Sequence, residues 1–470
     1  MEDLFAALES IVGPENVLRG SDKDPFLIDW LGKYRGDARA VVRPADTAEV
    51  ASIVEQCSSR SIPIVPQGGN TSLSGGATPD RSGEAIVLSL ARLNKVRSVD
   101  PVGNTIAVDA GTILSNVQAA AAAAGRYFPM SLGAEGSCTI GGNLSANAGG
   151  VAVLRYGTMR ELTLGLEVVL ADGRVWDGMT ALQKDNTGYS LRDLFIGSEG
   201  TLGIITGAVL KLFPSPAARA TAFASVSGPK EALSLLSAVR SSCGDRLTAF
   251  EFMTSECVDL VRRHVADARM PFDAAQTAVV LIELSDIDSE PGLTSRLEDS
   301  LAAAIEAGLV LDAVVAQDRS QAKAFWRLRE GISEALVREG GAAKHDVSLP
   351  VAAMADFVGA ADVAVSCACP GVRPIVFGHL GDGNLHYNLL APLGMSKEDF
   401  AARCAGLSRL VHDETTVRRG SISAEHGVGQ LRAAELVRCK PSLDLELMQA
   451  LKATLDPRRI FNPGKLLADC

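Results

Sequence analysis

Ile62-Pro63-Ile64-Val65-Pro66-Gln67-Gly68-Gly69-Asn70-Thr71-Ser72-Leu73-Ser74-Gly75-Gly76 is the stretch on which the reading of the whole chain turns. Ile62 to Pro66 is a short apolar strand that runs straight into four glycines and three hydroxyl residues within ten positions. Such a loop bends tightly and can aim successive N–H groups at one anion, which is how a backbone nest holds phosphate without a lysine. It matches neither the Walker pattern nor Gly-x-Gly-x-x-Gly, which counts against a P-loop nucleotide enzyme and a dinucleotide-binding Rossmann domain.

Outward from this loop, Ala40-Val41-Val42-Arg43-Pro44 reads as a strand, and Thr47 to Ser58 has helical spacing behind an Asp46-Thr47 start. Strands at Ala85 to Leu90 and Thr105 to Asp109 precede an Ala-rich helix over Val117 to Ala124. A second glycine-rich segment, Pro129 to Gly150, has too many small residues for an ordinary side-chain core and suits a backbone lying close against a flat ligand. Leu164 to Leu170 and Arg174 to Trp176 flank Asp172-Gly173 as a hairpin, and Ile196 to Thr206 is a third glycine-rich segment.

Pro66 to Gly76, Gly136 to Gly150, Lys184-Asp185-Asn186-Thr187-Gly188-Tyr189 and Gly197 to Thr206 together resemble the FAD-binding domain of vanillyl-alcohol-oxidase type flavoproteins. Within that group they resemble the D-2-hydroxyacid dehydrogenase branch, which contains D-2-hydroxyglutarate and D-lactate dehydrogenases, and most nearly its hydroxyglutarate members. The resemblance implies an FAD whose pyrophosphate lies on Pro66, Gln67, Gly68, Gly69, Asn70, Thr71 and Gly75. It places the flavin near Gly133, Gly136, Ser137, Thr139, Gly142, Asn147, Gly149 and Gly150, with Glu199, Gly200, Gly203, Ile204 and Ile205 completing the cofactor contacts. Neither of the first two loops contains a histidine, so the FAD is expected to be noncovalent.

Pro214-Ser215-Pro216 punctuates the end of this unit. Beyond it, strands near Thr221 to Val226, Leu247 to Met253 and Ala278 to Leu284 alternate with helices from Lys230 and over Thr294 to Ala307. That order predicts an α+β substrate domain, an antiparallel sheet with helices packed on one side. The expected division is a two-part FAD-binding domain over 1–216, a substrate and metal-binding domain over 217–425, and a segment 426–470 that returns to the FAD domain, where Asn462 is a candidate contact near the flavin.

The substrate domain holds the candidate chemistry. In Phe377-Gly378-His379-Leu380-Gly381-Asp382-Gly383-Asn384-Leu385-His386-Tyr387-Asn388, Asp382-Gly383 is a favoured two-residue turn that would pair 379 with 386. Directly opposed histidines have Cβ atoms about 5 Å apart, close enough to share a metal ion. The resemblance implies a divalent metal, zinc with manganese as the alternative, on His379, His386 and Glu425, and two His with one carboxylate leave an open coordination position. Helix Ser320 to Arg338 presents Trp326, Arg329 and Ser333 at spacings of three and four. The pattern Trp-x-x-Arg-Glu and Lys344 match the family's substrate-carboxylate contacts; hydroxyglutarate members carry Thr where this chain has Ser333. Asn388 shares a strand face with His386 and is a further substrate contact.

A 2-hydroxy acid chelating the metal through hydroxyl and carboxylate would have its hydroxyl pKa lowered. His426 would then be the general base, with the C2 hydrogen passing as hydride to FAD. The expected activity is oxidation of D-2-hydroxyglutarate to 2-oxoglutarate, with D-lactate, D-malate or another D-2-hydroxy acid as the alternative substrate. A flavin-binding subunit without turnover is the alternative from another class. No nicotinamide site is evident, so an electron-transfer flavoprotein or similar carrier is the expected acceptor. A homodimer stays open.

The 470 residues carry a net charge of -11 with no basic block, which excludes a nucleic-acid surface. The longest apolar runs fall short of the roughly 20 residues of a membrane span, and the acidic start Met1-Glu2-Asp3-Leu4 lacks the pattern of an export signal. Nine cysteines without Cys-x-x-Cys spacing are expected to be reduced core thiols. The expected location is cytoplasmic.

Overall fold

The computed structural model describes residues 2–272, 276–288 and 292–467. Its contacts divide the chain into two compact units, one of Met1–Gly150, Tyr156–Ser215 and Glu425–Cys470, the other of Val151–Arg155 and Pro216–Ala424. The short segment Val151–Arg155 groups with the second unit although the sequence division leaves it in the first. Leu154 lies where a side chain at Gly381 would project, and Arg155 donates to Ser285 Oγ at 2.6 Å.

The first unit begins with a four-stranded sheet of β1 (Val17–Leu18), β2 (Ala40–Val42), β3 (Ile64–Gln67) and β4 (Ile86–Ser89), in the order β1-β2-β4-β3. β2, β4 and β3 run parallel, and β1 is antiparallel to β2. Parallel strands need a crossover, here helix Thr47–Ser59, capped by Asp46 accepting from the Glu49 N–H at 2.9 Å. Both faces of this sheet are covered: Val42, Ile64 and Leu88 enter the main core, and Val41, Val65 and Val87 enter a smaller cluster behind. Hence these strands are continuously apolar.

A second, antiparallel sheet holds β5 (Val96–Asp100), β6 (Thr105–Asp109), β8 (Thr163–Val169), β9 (Val175–Gly178) and β10 (Ile204–Lys211), in the order β5-β6-β10-β8-β9. Two short strands, β7 (Arg126–Tyr127) and β11 (Phe213–Pro214), pair separately. Ile106, Val108, Leu166, Val168, Ala208 and Leu210 join the same core as β2 and β3. The C-terminal segment docks beside β3, where Ile64 donates to the Ile460 carbonyl at 2.7 Å and accepts from the Asn462 N–H at 2.8 Å. Buried Asp456 fixes that turn by accepting from the N–H groups of Ile460 and Phe461 and from Lys452.

The second unit is built on a seven-stranded antiparallel sheet of β12 (Ala218–Val226), β13 (Leu247–Thr254), β14 (Ala278–Asp286), β15 (Asp312–Val315), β16 (Asp346–Ser348), β17 (Arg373–His379) and β18 (Asn384–Leu390). The order is β15-β12-β14-β13-β17-β18-β16. Helices cover both faces, not one as expected. Val280, Ile282 and Leu284 pack with helices Pro229–Cys243, Gly292–Glu306 and Met354–Ala368, while Val279 and Leu281 pack with Ser255–His264 and Arg319–Arg338. The unbroken apolar run 278–282 already carries this two-sided burial, because a sheet with one wet face would alternate.

Among the described residues one stretch, Val351–Ala368, is apolar and long enough by composition to cross a membrane. Its Phe357, Ala361 and Val365 are buried in the core of this unit. The eight described cysteines are unpaired; five are buried as expected, but Cys367 is exposed and Cys404 and Cys439 are half-buried. Cys470 lies outside the described residues.

Glu339, at the end of helix Arg319–Arg338, joins three elements by accepting from His264 at 2.6 Å, Arg373 at 2.9 Å and Arg263 at 3.3 Å. Despite partial burial, these donors hold its carboxyl down from 4.5 to about 2. A depressed carboxyl stabilises the fold above its unfolded pKa and stops doing so as pH falls through the folded value. Glu339→Gln is therefore expected to lose about 1–3 kcal/mol at pH 7. In urea titrations the gap to wild type should close between about pH 4.5 and pH 2.

Candidate functional site

In the first unit the three glycine-rich segments meet around the end of β3. Gln67 closes the neck of the first loop, its amide donating to the carbonyls of Phe26 at 3.0 Å and Ala77 at 2.8 Å. Added Cβ atoms would strike Thr139 Oγ1 at 2.3 Å from Gly68 and the Ser137 carbonyl at 2.0 Å from Gly69. The first two segments thus touch backbone to backbone, a contact open only to glycine. Likewise Gly150 would meet the Ser131 carbonyl at 2.2 Å, and Gly200 would meet the Pro66 ring at 2.6 Å. Around Gly133 and Gly136 there is open space.

Asn70, at φ 52°, anchors the bend by donating to the Ile28 carbonyl at 2.8 Å. Among the described residues the N–H groups of Gly68, Gly69, Asn70, Thr71 and Ser72 make no hydrogen bond to protein. Two buried polar atoms nearby, Thr78 Oγ1 and Asn462 Oδ1, also have no partner. Successive unsatisfied amides beside a close-packed glycine floor are the donor set that an anionic, flat cofactor requires, and these residues fit FAD.

Several expected cofactor residues have other work. Asn147 Oδ1 accepts from Thr158 Oγ1 and the Arg160 N–H, both at 2.9 Å, so it locks the second loop to the next turn. Thr139 caps the short helix Ile140–Ser145 through the Gly142 N–H. The side chains of Ile204 and Ile205 lie in the core, and a Cβ on Gly203 would collide with Val168 and Phe195. Asn462 ties segments together, donating to the carbonyls of Gly76 and Glu199 at 2.9 and 2.8 Å.

Glu199, at φ 52°, accepts from the N–H groups of Val428 and Gly429, both at 2.7 Å, while Ser74 Oγ donates to the His426 carbonyl at 3.0 Å. The backbone following Glu425 is therefore fastened to the first glycine loop at Ser74 and to the third segment at Glu199. Burial pushes the Glu199 carboxyl up in spite of its two N–H donors.

In the second unit the hairpin register differs from the expected one. His386 pairs with Phe377, and a four-residue loop, 380–383, replaces the two-residue turn. Gly378 approaches β18 so closely that a Cβ would lie 2.6 Å from the Asn384 carbonyl. The shift is by two residues, so both histidines keep the same face and sit diagonally, ring centroids 6.1 Å apart. The actual cross-strand partner of His379 is Glu251 on β13.

Glu251 is the residue that sequence reasoning missed. It is 1% exposed and accepts from His379 Nδ1 at 2.6 Å and from Arg329 Nε at 2.7 Å. These two partners hold its carboxyl at about 2 against burial. Arg329 lies over the Phe377 ring, 4.8 Å from the centroid, and is buried, not snorkelling at the surface. Trp326 donates to Glu283 at 2.9 Å, whereas Ser333, one turn past Arg329, is exposed.

β16 pairs Asp346 with His386, and the bridge between Ala343 and Leu389 continues that register, which sets exposed Lys344 opposite Asn388. Asn388 is buried and accepts from the His345 N–H at 3.3 Å. Arg329, Lys344, His379, His386 and Asn388 thus gather on one face of the sheet. His345 and His412 pack edge to face elsewhere, and His264 serves Glu339. The unit ends at Ala424, whose N–H donates to the Asp346 carbonyl at 3.1 Å; Glu425 and His426 come next in sequence.

The chain resembles known proteins along most of its length. Residues 215–466 match the model for the C-terminal domain of FAD linked oxidases, and residues 38–178 match a FAD binding domain. The chain belongs to the FAD-linked oxidase family. A probable mitochondrial D-2-hydroxyglutarate dehydrogenase from Oryza sativa subsp. japonica is 42% identical over 99% of this chain and 82% of its own. The mitochondrial D-2-hydroxyglutarate dehydrogenase of Bos taurus is also 42% identical, over 99% of this chain and 84% of its own. At the level of fold, p-cresol methylhydroxylase with substrate bound superposes with a TM-score of 0.76 at 15% identity, over 100% of this chain and 97% of that one. The α+β fold of a vanillyl-alcohol-oxidase type flavoprotein, expected from the glycine segments, is the one observed.

The cofactor loop yields a direct test. Gly69→Ala forces a Cβ against the Ser137 carbonyl, an overpacking that costs about 1–3 kcal/mol. Each 1.4 kcal/mol falling on the cofactor-binding form lowers affinity about tenfold. The variant is expected to bind FAD about 5- to 150-fold more weakly in a flavin titration, whereas Gly133→Ala, with open space at its Cβ, should bind it as wild type does.

Proposed function

We propose that this chain oxidises D-2-hydroxyglutarate to 2-oxoglutarate, with noncovalent FAD as the hydride acceptor and zinc or manganese held by His379, His386 and Glu425. The observation that carries this reading is one sheet face with two histidines, one of which shares a buried carboxylate with a buried arginine, in a chain 42% identical to D-2-hydroxyglutarate dehydrogenases over nearly its whole length. The substrate is a dicarboxylate. Arg329 and Lys344 supply two cations for it, and a guanidinium binds a carboxylate through two parallel hydrogen bonds.

Asn388 stands beside them on the strand, and exposed Ser333 adds a hydroxyl one turn from Arg329. His426 takes the proton of the C2 hydroxyl as general base. The C2 hydrogen leaves with its electron pair and C2 becomes a ketone carbon, so the two-electron balance closes on a reduced cofactor. Bound FAD supplies the acceptor for that hydride, and the divalent cation supplies the Lewis acidity that lowers the hydroxyl pKa. Support for placing Glu425 in the ligand set comes from chain continuity: Ala424, which precedes it, is bonded to Asp346, the register partner of His386. An electron-transfer flavoprotein or similar carrier would reoxidise the flavin.

The test is turnover of a panel of D-2-hydroxy acids with an artificial electron acceptor, with and without a chelator. D-2-hydroxyglutarate should give the highest kcat/KM, and chelation should abolish the rate. A preference for D-lactate would overturn the substrate assignment. A yellow protein that no substrate bleaches, even with zinc or manganese restored, would point to a flavin-binding subunit without turnover. His386→Ala is expected to lose bound metal and at least about 100-fold in rate, a few kcal/mol of transition-state stabilisation, while keeping its FAD; an active, metal-free variant would overturn the metal role.

A further inference from the structure

Glu251 sits on β13, with helices over both faces of its sheet, among Met253, Leu281 and Phe377 on the face toward helix Arg319–Arg338. An ionised carboxylate in such surroundings costs several kcal/mol unless its oxygens are paired. Both are. Oε2 accepts from Arg329 Nε at 2.7 Å and Oε1 from His379 Nδ1 at 2.6 Å.

The choice of donor atoms is informative. Arg329 spends only Nε on Glu251; among the described residues its two terminal amino groups have no protein hydrogen bond. Phe377 packs against the guanidinium, its ring centroid 4.8 Å from Cζ. In the neutral imidazole of His379, donation from Nδ1 to the carboxylate places the proton there and the acceptor lone pair on Nε2. His386 has a looser version, with Nδ1 3.7 Å from Asp346 Oδ1. Carboxylates that orient ligating imidazoles in this way strengthen metal binding.

We propose that Glu251 is a positioning residue that presents His379 Nε2 to the divalent cation and the free edge of Arg329 to a substrate carboxylate. This deepens, and rests on, the metal and substrate reading above. One buried group then holds the two halves of the site at a fixed separation, since both are bonded to oxygens of the same carboxylate. Displacement of either partner strains the bond to the other.

Glu251→Gln keeps the shape but can accept through only one oxygen, so one of the two bonds is lost. Equilibrium dialysis with Zn²⁺ on FAD-loaded protein should show metal affinity lowered about 10–100-fold. Steady-state kinetics at saturating Zn²⁺ should show KM for D-2-hydroxyglutarate raised about tenfold, the effect of one mispositioned charge-assisted contact. FAD content should match wild type. A purely structural Glu251 would lower the melting temperature and leave metal affinity and KM at wild-type values, and that result overturns the proposal. If Glu251→Gln does not fold, Glu251→Asp, which keeps the charge but is one methylene shorter, is measured the same way. Weakened metal binding supports the proposal, and unchanged binding and KM overturn it. The two levels separate in the wild type: protein that binds no Zn²⁺, or turns over after chelation, removes the underlying reading. A metal-requiring wild type beside an unaltered Glu251→Gln removes only the role of Glu251.

Discussion

A carboxylate buried between a sheet and a helix must be compensated where it stands, and in the second unit that constraint organises the candidate site. Glu251 lies on a strand with helices over both sheet faces, beyond the reach of bulk water. Arg329 from the overlying helix and His379 from the neighbouring strand are therefore held by position as well as by charge. The apolar face of Leu281, Phe325, Leu328 and Ile332 brings helix Arg319–Arg338 down onto the sheet. Hydrophobic burial supplies the attraction, and the carboxylate selects the geometry.

The first unit depends on a different constraint, how closely glycine backbone approaches its neighbours. Gly68 and Gly69 sit against Thr139 and Ser137, Gly150 against Ser131 and Gly200 against Pro66, at distances that exclude any side chain. Packing of that kind leaves amides pointing at no protein acceptor, which is a cost to the empty fold and an asset once an anion is present. Glu199 and Asn462 then join the C-terminal segment to these loops through backbone groups, so residues far apart in sequence share one framework.

The glycine segments, the strand near Ala278 to Leu284 and the histidine hairpin were legible because local patterns encode them. Tight turns require glycine, and strand faces alternate with period two. Two corrections have the same origin. The hairpin loop proved two residues longer than Asp382-Gly383 suggested because Gly378 packs against the Asn384 carbonyl, a contact between strands that no turn rule contains. Helices cover both sheet faces because the strand order β15-β12-β14-β13-β17-β18-β16 mixes distant segments, and chain order alone does not say which face a helix crosses. Asn147, Ile204 and Ile205 lie within motifs of the expected cofactor site, yet their side chains are bonded or buried elsewhere.

By itself the amino-acid sequence determined the cofactor class, the α+β architecture, the family and the histidine pair, since each depends on residues close together along the chain. Only the tertiary structure decided that Glu251 is the partner of both Arg329 and His379. Those two residues lie 78 and 128 positions from Glu251, on a helix and a strand whose motifs do not include it. A lone glutamate in the apolar strand Leu247–Thr254 has no local signal of function; its meaning comes from the cations that burial forces it to meet.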